Sequence, residues 1–251
     1  MSRAVISRRQ LLDNFTRIFG STLHGDHPRD LLADGCIQKA LEELDDEIMT
    51  ITGENITIVP LDLKDGAGID RLGFAIFERF KKLDGLIHCA GRLGDLGPVS
   101  HATPRDAGNI VEINLTASWR LIASVEQLLA ASPNGRAIFL TSSVAQDPRP
   151  NWGLYAATKA GLEALVKSWA GEQNLNNIVA SLLNPGGVAS AMRRKAFPGE
   201  DQSKIPQPED LGSIFLELMS PNRPKELNGA LVNFRETAHF AAWQAKTSSH
   251  H

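Results

Sequence analysis

Residues 139–159 read FLTSSVAQDPRPNWGLYAATK. An apolar run ends in Thr141, Ser142 and Ser143. A polar stretch with two prolines follows, and Tyr155 then opens a helical pattern with Lys159 one turn on. Residues at that spacing share a helix face, which sets the Lys159 ammonium beside the Tyr155 phenol. A neighbouring cation favours the phenolate and is expected to lower a pKa that is otherwise about 10. A tyrosine adjusted in this way can exchange a proton at neutral pH. A serine at the end of the preceding strand can bind the same substrate oxygen, and strand carboxyl ends are where open parallel sheets place ligands. On an ordinary helix such a pair is a packed ring beside a solvated charge. Here Tyr155 is the only tyrosine in a chain with ten phenylalanines, and it follows a strand-serine-loop element in the order the chemistry needs.

Outward from this stretch, short branched apolar runs alternate with helical patterns. Residues 56–61 (ITIVPL), 85–89 (GLIHC), 136–141 (RAIFLT), 178–183 (IVASLL) and 230–234 (ALVNF) read as buried parallel strands. Residues 69–83, 109–130 and 154–174 carry apolar side chains at helical spacing. This alternation predicts an α/β fold, a doubly wound parallel sheet with right-handed crossovers and helices on both faces. The whole chain, 1–251, is read as one domain, with 244–251 as a disordered tail. His250 and His251 are set aside as the remnant of a purification tag.

The chain has 251 residues, 42% of them hydrophobic and 22% charged, with a formal net charge of −3. That is ordinary for a globular protein and argues against nucleic-acid or anionic-membrane partners. No apolar run approaches the ~18 residues needed to span a bilayer. The first residues lack an apolar core followed by a cleavage site. Cys36 and Cys89 are the only cysteines, too few for a disulfide framework and without metal-ligand spacing. A cytoplasmic, reduced protein with no metal site is the expectation.

Tyr155-Ala-Ala-Thr-Lys159 resembles the YxxxK element of the short-chain dehydrogenase/reductase family, whose catalytic set is Ser, Tyr, Lys and Asn. Ser143, with Ser142 as the alternative, falls within the family's spacing before the tyrosine, and Asn114 in residues 111–117 (VEINLTA) matches the asparagine. His88-Cys89-Ala90-Gly91 stands where the family has NNAG, whose small residues let the backbone approach the nicotinamide ribose. Asp62 and Leu63 match the acidic position at the adenine ring. Residues 184–190 (NPGGVAS) resemble the PGxVxT loop that holds the nicotinamide amide, placing Pro185, Gly186, Val188 and Ser190 among the cofactor contacts. NWGLYAATKAG is especially similar to a bacterial subgroup, the YciK-like oxidoreductases.

The resemblance implies an NAD(P)-dependent oxidoreductase, with NADP or NAD as cofactor, that interconverts a small-molecule carbonyl and alcohol. Tyr155 would move the proton. Lys159 would lower the Tyr155 pKa and bind the ribose. Ser143 would orient the substrate, and Asn114 would hold a water. A homo-dimer or homo-tetramer built on the helices at 109–130 and 154–174 is also implied. Met192, Phe197 and Trp152 are candidate pocket walls.

Two features depart from the family. The phosphate loop TGxxxGIG is absent before Asp30, where residues 20–27 read GSTLHGDH, and the second family strand is missing near residues 35–41. Residues 31–35 nevertheless resemble the end of the family's first helix, and residues 41–48 resemble its second. Without close-approach glycines, dinucleotide affinity is expected to fall, and Arg17, His24, His27 and Arg29 are the candidate cations that would compensate. The alternative reading is a non-enzymatic scaffold or inactive remnant that keeps the catalytic residues but binds dinucleotide poorly.

Overall fold

The computed structural model describes residues 45–46, 49–50, 53, 59, 61–173, 177–222 and 225–248. The chain divides into two compact units, one of Leu61–Gly186 and Glu217–Thr237, the other of Met1–Pro60, Gly187–Leu216 and Ala238–His251. The atypical residues 1–40, the candidate cations within them and most of the expected strand at 56–61 lie outside the described residues.

The first unit is built on four strands: β1 (Gly85–His88), β2 (Arg136–Leu140), β3 (Val179–Asn184) and β4 (Leu231–Asn233). All neighbours are parallel and the spatial order is β1-β2-β3-β4. Each strand falls within a residue or two of the apolar run that predicted it. β2 is buried along its whole length, which is why its sequence is continuously apolar after Arg136 and does not alternate.

Helix α1 (Gly66–Phe80) begins where the Asp65 side chain accepts from the Gly68 N–H at 2.9 Å, an N-cap that satisfies one orphan donor. Helices α2 (Pro104–Val111) and α3 (Ala117–Ala130) are joined by a π-helical turn over Glu112–Thr116, and α4 (Gly153–Glu172) links β2 to β3. The single helix expected over 109–130 is thus interrupted by that wider turn, with Asn114 at its centre.

One buried cluster joins Ile69 of α1, Leu121, Ile122, Val125 and Leu129 of α3, and Leu162, Val166 and Trp169 of α4 to Ala137, Phe139, Ala180 and Leu182 of the sheet. The three helices therefore share one face of the sheet. Helices α3 and α4, which join β1 to β2 and β2 to β3, thus both cross over that side. Ile138, Leu140, Ser181 and Leu183, which point the other way, are buried too. Both faces are thus covered, as a parallel sheet requires.

In the second unit, α5 (Ala191–Ala196) follows Ser190, whose hydroxyl accepts from the Arg193 N–H at 3.1 Å. Residues 212–216 begin α6 (Gly212–Leu218), and Ala238–Ser248 forms α7, so the expected tail is helical through Ser248. Among the described residues no helix is long and apolar enough to cross a membrane.

Candidate active site

Three chain segments meet at the carboxyl ends of β1 and β2. The first is α4, where Tyr155 and Lys159 are both buried. The Lys159 Nζ lies 5.9 Å from the centre of the Tyr155 ring and donates to the Leu140 carbonyl at 2.9 Å, the last residue of β2. Trp152, just before the helix, packs edge-on against Tyr155 at 6.1 Å between ring centres. Of the three candidate pocket walls, this one stands beside the tyrosine. Phe197 lies in the second unit under the Arg193 guanidinium, 3.8 Å from its ring centre, and Met192 is in α5.

The second segment is the turn after β2. Ser142 is extended and half-buried, and its side chain is near enough to the Tyr155 phenol to draw its pKa down. Ser143 is exposed and opens a short 3-10 turn over Ser143–Ala145. Of the two adjacent serines, the structure brings Ser142 to the tyrosine. The reason is the period of extended backbone: consecutive side chains there point to opposite sides, so only one of the two can face α4.

The third segment is His88-Cys89-Ala90-Gly91 with the π-helical turn opposite. Asn114 is buried and spends its side chain on three partners. Its Oδ1 accepts from the Arg92 N–H at 2.7 Å, and its Nδ2 donates to the Arg92 carbonyl at 2.9 Å and to the Thr158 hydroxyl at 3.0 Å. Asn114 therefore ties the loop after β1 to the helix that carries Tyr155. A Cβ added at Gly91 would stand 3.4 Å from the Lys159 Nζ and 3.6 Å from Asn114 Oδ1, so glycine keeps this approach open. His88 contacts the Ser118 hydroxyl through Nε2 at 3.0 Å, and that hydroxyl donates to the Asn114 carbonyl at 3.1 Å.

The electrostatics differ from the sequence expectation. Burial is the largest influence on the Tyr155 phenol and pushes it up to about 12, while the nearby Ser142 side chain draws it back down. Burial likewise pushes the Lys159 ammonium down to about 8, with the neighbouring Cys89 acting in the opposite direction. Burial, and not the Lys159 charge, sets the direction of the phenol's shift. The Cys89 thiol is pushed up by burial, and His88 is driven down to about 4 by burial first and by the Lys159 charge second.

The remaining predicted residues sit as follows. Asp62 and Leu63 precede α1. The Asp62 carboxylate accepts from the Lys64 N–H at 2.9 Å, and Leu63 packs against the helical core. Pro185 and Gly186 follow β3. Gly186 has φ +72°, and a Cβ there would press on the Arg235 side chain. Val188 is buried, and Ser190 caps α5 in the second unit. Among the described residues no cluster of His, Cys, Asp or Glu is arranged to hold a metal. Thr158 and Ser118 belong to this network without having been singled out for it, and Thr158 carried a legible signal, since it adjoins Lys159.

An all-parallel sheet with this polar cluster at its strand ends is a Rossmann-like α/β arrangement. The sequence pattern of the short chain dehydrogenases matches residues 31–201, and the chain belongs to that family. It is 34% identical over 173 residues to the uncharacterized oxidoreductase YciK of Escherichia coli, covering 69% of this chain and 63% of the relative. It is 31% identical over 148 residues to nodulation protein G of Rhizobium meliloti, covering 59% of this chain and 60% of that protein. The chain thus matches about three fifths of the length of these curated relatives. Among solved structures, a short chain dehydrogenase of Shigella flexneri complexed with NADP superposes with a TM-score of 0.74 at 32% identity. That match covers 78% of this chain and 82% of the other. The yciK oxidoreductase of E. coli superposes equally, at 0.74 and 31% identity, over 78% and 80%.

Proposed function

We propose that the chain is an NAD(P)-dependent oxidoreductase that interconverts a carbonyl and an alcohol, with Tyr155 as the general acid and base. The observation that carries this reading is the meeting of Ser142, Tyr155 and Lys159 at the ends of the sheet strands. A dinucleotide fits what is present. Gly91 leaves the backbone open beside Lys159 and Asn114, and the ammonium has three donors of which one reaches Leu140. Cys89, Ala90, Gly91, Tyr155 and Lys159 would hold the nicotinamide ribose. Pro185, Gly186, Val188 and Ser190 would hold the amide, and Asp62 and Leu63 the adenine. Bound there, the nicotinamide supplies or accepts a hydride.

The chain's own residues handle the rest. Ser142 takes the substrate-orienting role that the spacing assigned to Ser143, because its side chain is the one at the phenol. A phenol held near 12 is protonated at neutral pH, so Tyr155 is poised to donate its proton to a carbonyl oxygen, which suits the reductive direction. Lys159 and Asn114 keep that phenol and its surroundings in place. Homologues solved with NADP or NADPH support a nicotinamide cofactor, while other relatives carry NAD-dependent names, so both dinucleotides belong in the test. A small-molecule substrate, cytoplasmic placement and self-association through α3 and α4 complete the proposal.

The test is a titration with NADPH and NADH, following nicotinamide fluorescence and tryptophan quenching, then a carbonyl screen. Micromolar binding with turnover that Tyr155→Phe abolishes is expected. A folded chain that binds neither dinucleotide at millimolar concentration would instead favour a non-enzymatic scaffold.

A further inference from the structure

One buried carboxylate in the first unit has partners on both sides of the serine turn. Glu163 is one turn beyond Lys159 on α4, so Tyr155, Lys159 and Glu163 form a row on one helix face. Its Oε1 accepts from the Thr141 hydroxyl at 2.8 Å and from the Gln146 amide at 3.1 Å. Its Oε2 accepts from the same amide at 3.2 Å and from the Lys167 ammonium at 3.3 Å. Thr141 immediately precedes Ser142, and Gln146 closes the 3-10 turn that follows it. The Glu163 side chain is only 6% exposed. A charged acceptor this deep needs its partners, and each hydrogen bond to it is stronger than a neutral one.

We propose that Glu163 is a positioning residue. It clasps the chain on either side of Ser142 and so fixes the Ser142 hydroxyl against the Tyr155 phenol. The inference rests on the oxidoreductase reading for its consequence in catalysis, although the clasp itself can be read without turnover. The backbone on this turn is held as well, the Thr141 N–H donating to the Leu183 carbonyl at 2.9 Å and the Ala145 N–H to the Ser142 carbonyl at 3.0 Å, so the Glu163 contacts add side-chain anchors on either side of Ser142. With α4 holding Tyr155 by its backbone and Ser142 through Glu163, a single rigid helix sets both groups. That is the arrangement that positional catalysis rewards.

Because Tyr155 is the only tyrosine, a tyrosine label carrying 13C at Cζ gives one resonance, which reports the hydrogen bonding of that phenol at neutral pH. Ser142→Ala should move the resonance. Glu163→Ala should move it in the same direction, and Glu163→Gln, which keeps an acceptor for Thr141, should stay near the parent. In the Ser142→Ala background Glu163→Ala should add little. Kinetically, Glu163→Ala should lower kcat by on the order of tenfold to a hundredfold, as a displaced catalytic group does, with the KM for the nicotinamide unchanged and most of kcat restored by Glu163→Gln. Should Glu163→Ala fail to fold, Thr141→Val and the exposed Gln146→Ala each remove one side of the clasp and should shift the resonance partway.

The proposal is overturned if Glu163→Ala leaves the resonance in place while Ser142→Ala moves it. It is equally overturned if Ser142→Ala moves nothing, or if the two changes shift the resonance independently. A parent chain that turns over no nicotinamide-carbonyl pair sinks the oxidoreductase reading, and the resonance comparison still decides the clasp.

Discussion

Ser142 and Ser143 are adjacent, yet only one of them meets Tyr155. Ser142→Ala should therefore cost far more activity than Ser143→Ala, whose hydroxyl is exposed. A ratio of kcat/KM losses on the order of a hundredfold between the two is expected for an oriented hydrogen bond made to the reacting group, and steady-state kinetics on both variants measures it. Equal losses would return the role to Ser143. Asn114 is equally specific. Asn114→Ala leaves the Arg92 N–H and the Arg92 carbonyl without their side-chain partner, while the Thr158 hydroxyl keeps its bond to the Tyr155 carbonyl. Each orphaned buried group costs roughly 1–3 kcal/mol, so urea denaturation should show a loss of several kcal/mol, and Asn114→Asp, which keeps Oδ1, should lose less.

At the scale of elements, the position of α1 against α3 depends on Gly73. Its N–H donates to the Ser124 hydroxyl at 2.9 Å, and that hydroxyl donates to the Ile69 carbonyl at 2.8 Å. A Cβ at Gly73 would collide with the Ser124 carbonyl oxygen, which belongs to the α3 backbone and cannot step aside as a side chain can. Gly73→Ala gains helix propensity but should still destabilise the unit by about 1–3 kcal/mol, the range for an overpacked contact. A melting temperature equal to the parent's would show that the two helices separate without penalty. The π-helical turn at Glu112–Thr116 is the other decisive element. It adds a residue to the helical path, and with it the Asn114 amide lies between the loop after β1 and α4.

The buried ionisable groups set a pH dependence for the whole molecule. Between about 8 and 10.5 the unfolded chain keeps the Lys159 proton while the folded one has released it, so this group by itself makes stability rise with pH, opposed above about 9 by the Cys89 thiol, which burial keeps protonated in the fold. Between 10 and about 12 the folded chain keeps the Tyr155 proton that the unfolded chain has lost, and stability falls. Between 6.5 and about 4 unfolded His88 takes up a proton that the folded protein refuses, so acid destabilises. Denaturation of the parent and of Lys159→Met at several pH values isolates the first term. The parent should gain on the variant by up to about 1.4 kcal/mol per pH unit between 8 and 10.5, and a constant gap would show that Lys159 keeps its proton in the fold.

Four of the five expected strands, the helices around residues 69–83 and 154–174 and the order of the chemical motifs were legible in the sequence, because each depends on local features: apolar runs bounded by turns, and residues spaced one helical turn apart. The YxxxK spacing alone placed Tyr155 and Lys159 on one face of α4. The choice between Ser142 and Ser143, the partners of Asn114 and the use of Glu163 were not legible. Each depends on which side a backbone presents to an element distant in sequence. The direction of the Tyr155 shift was not legible for the same reason. Spacing reports that a cation is near, whereas the burial that pushes the phenol up exists only once the sheet and its helices have closed around the pair.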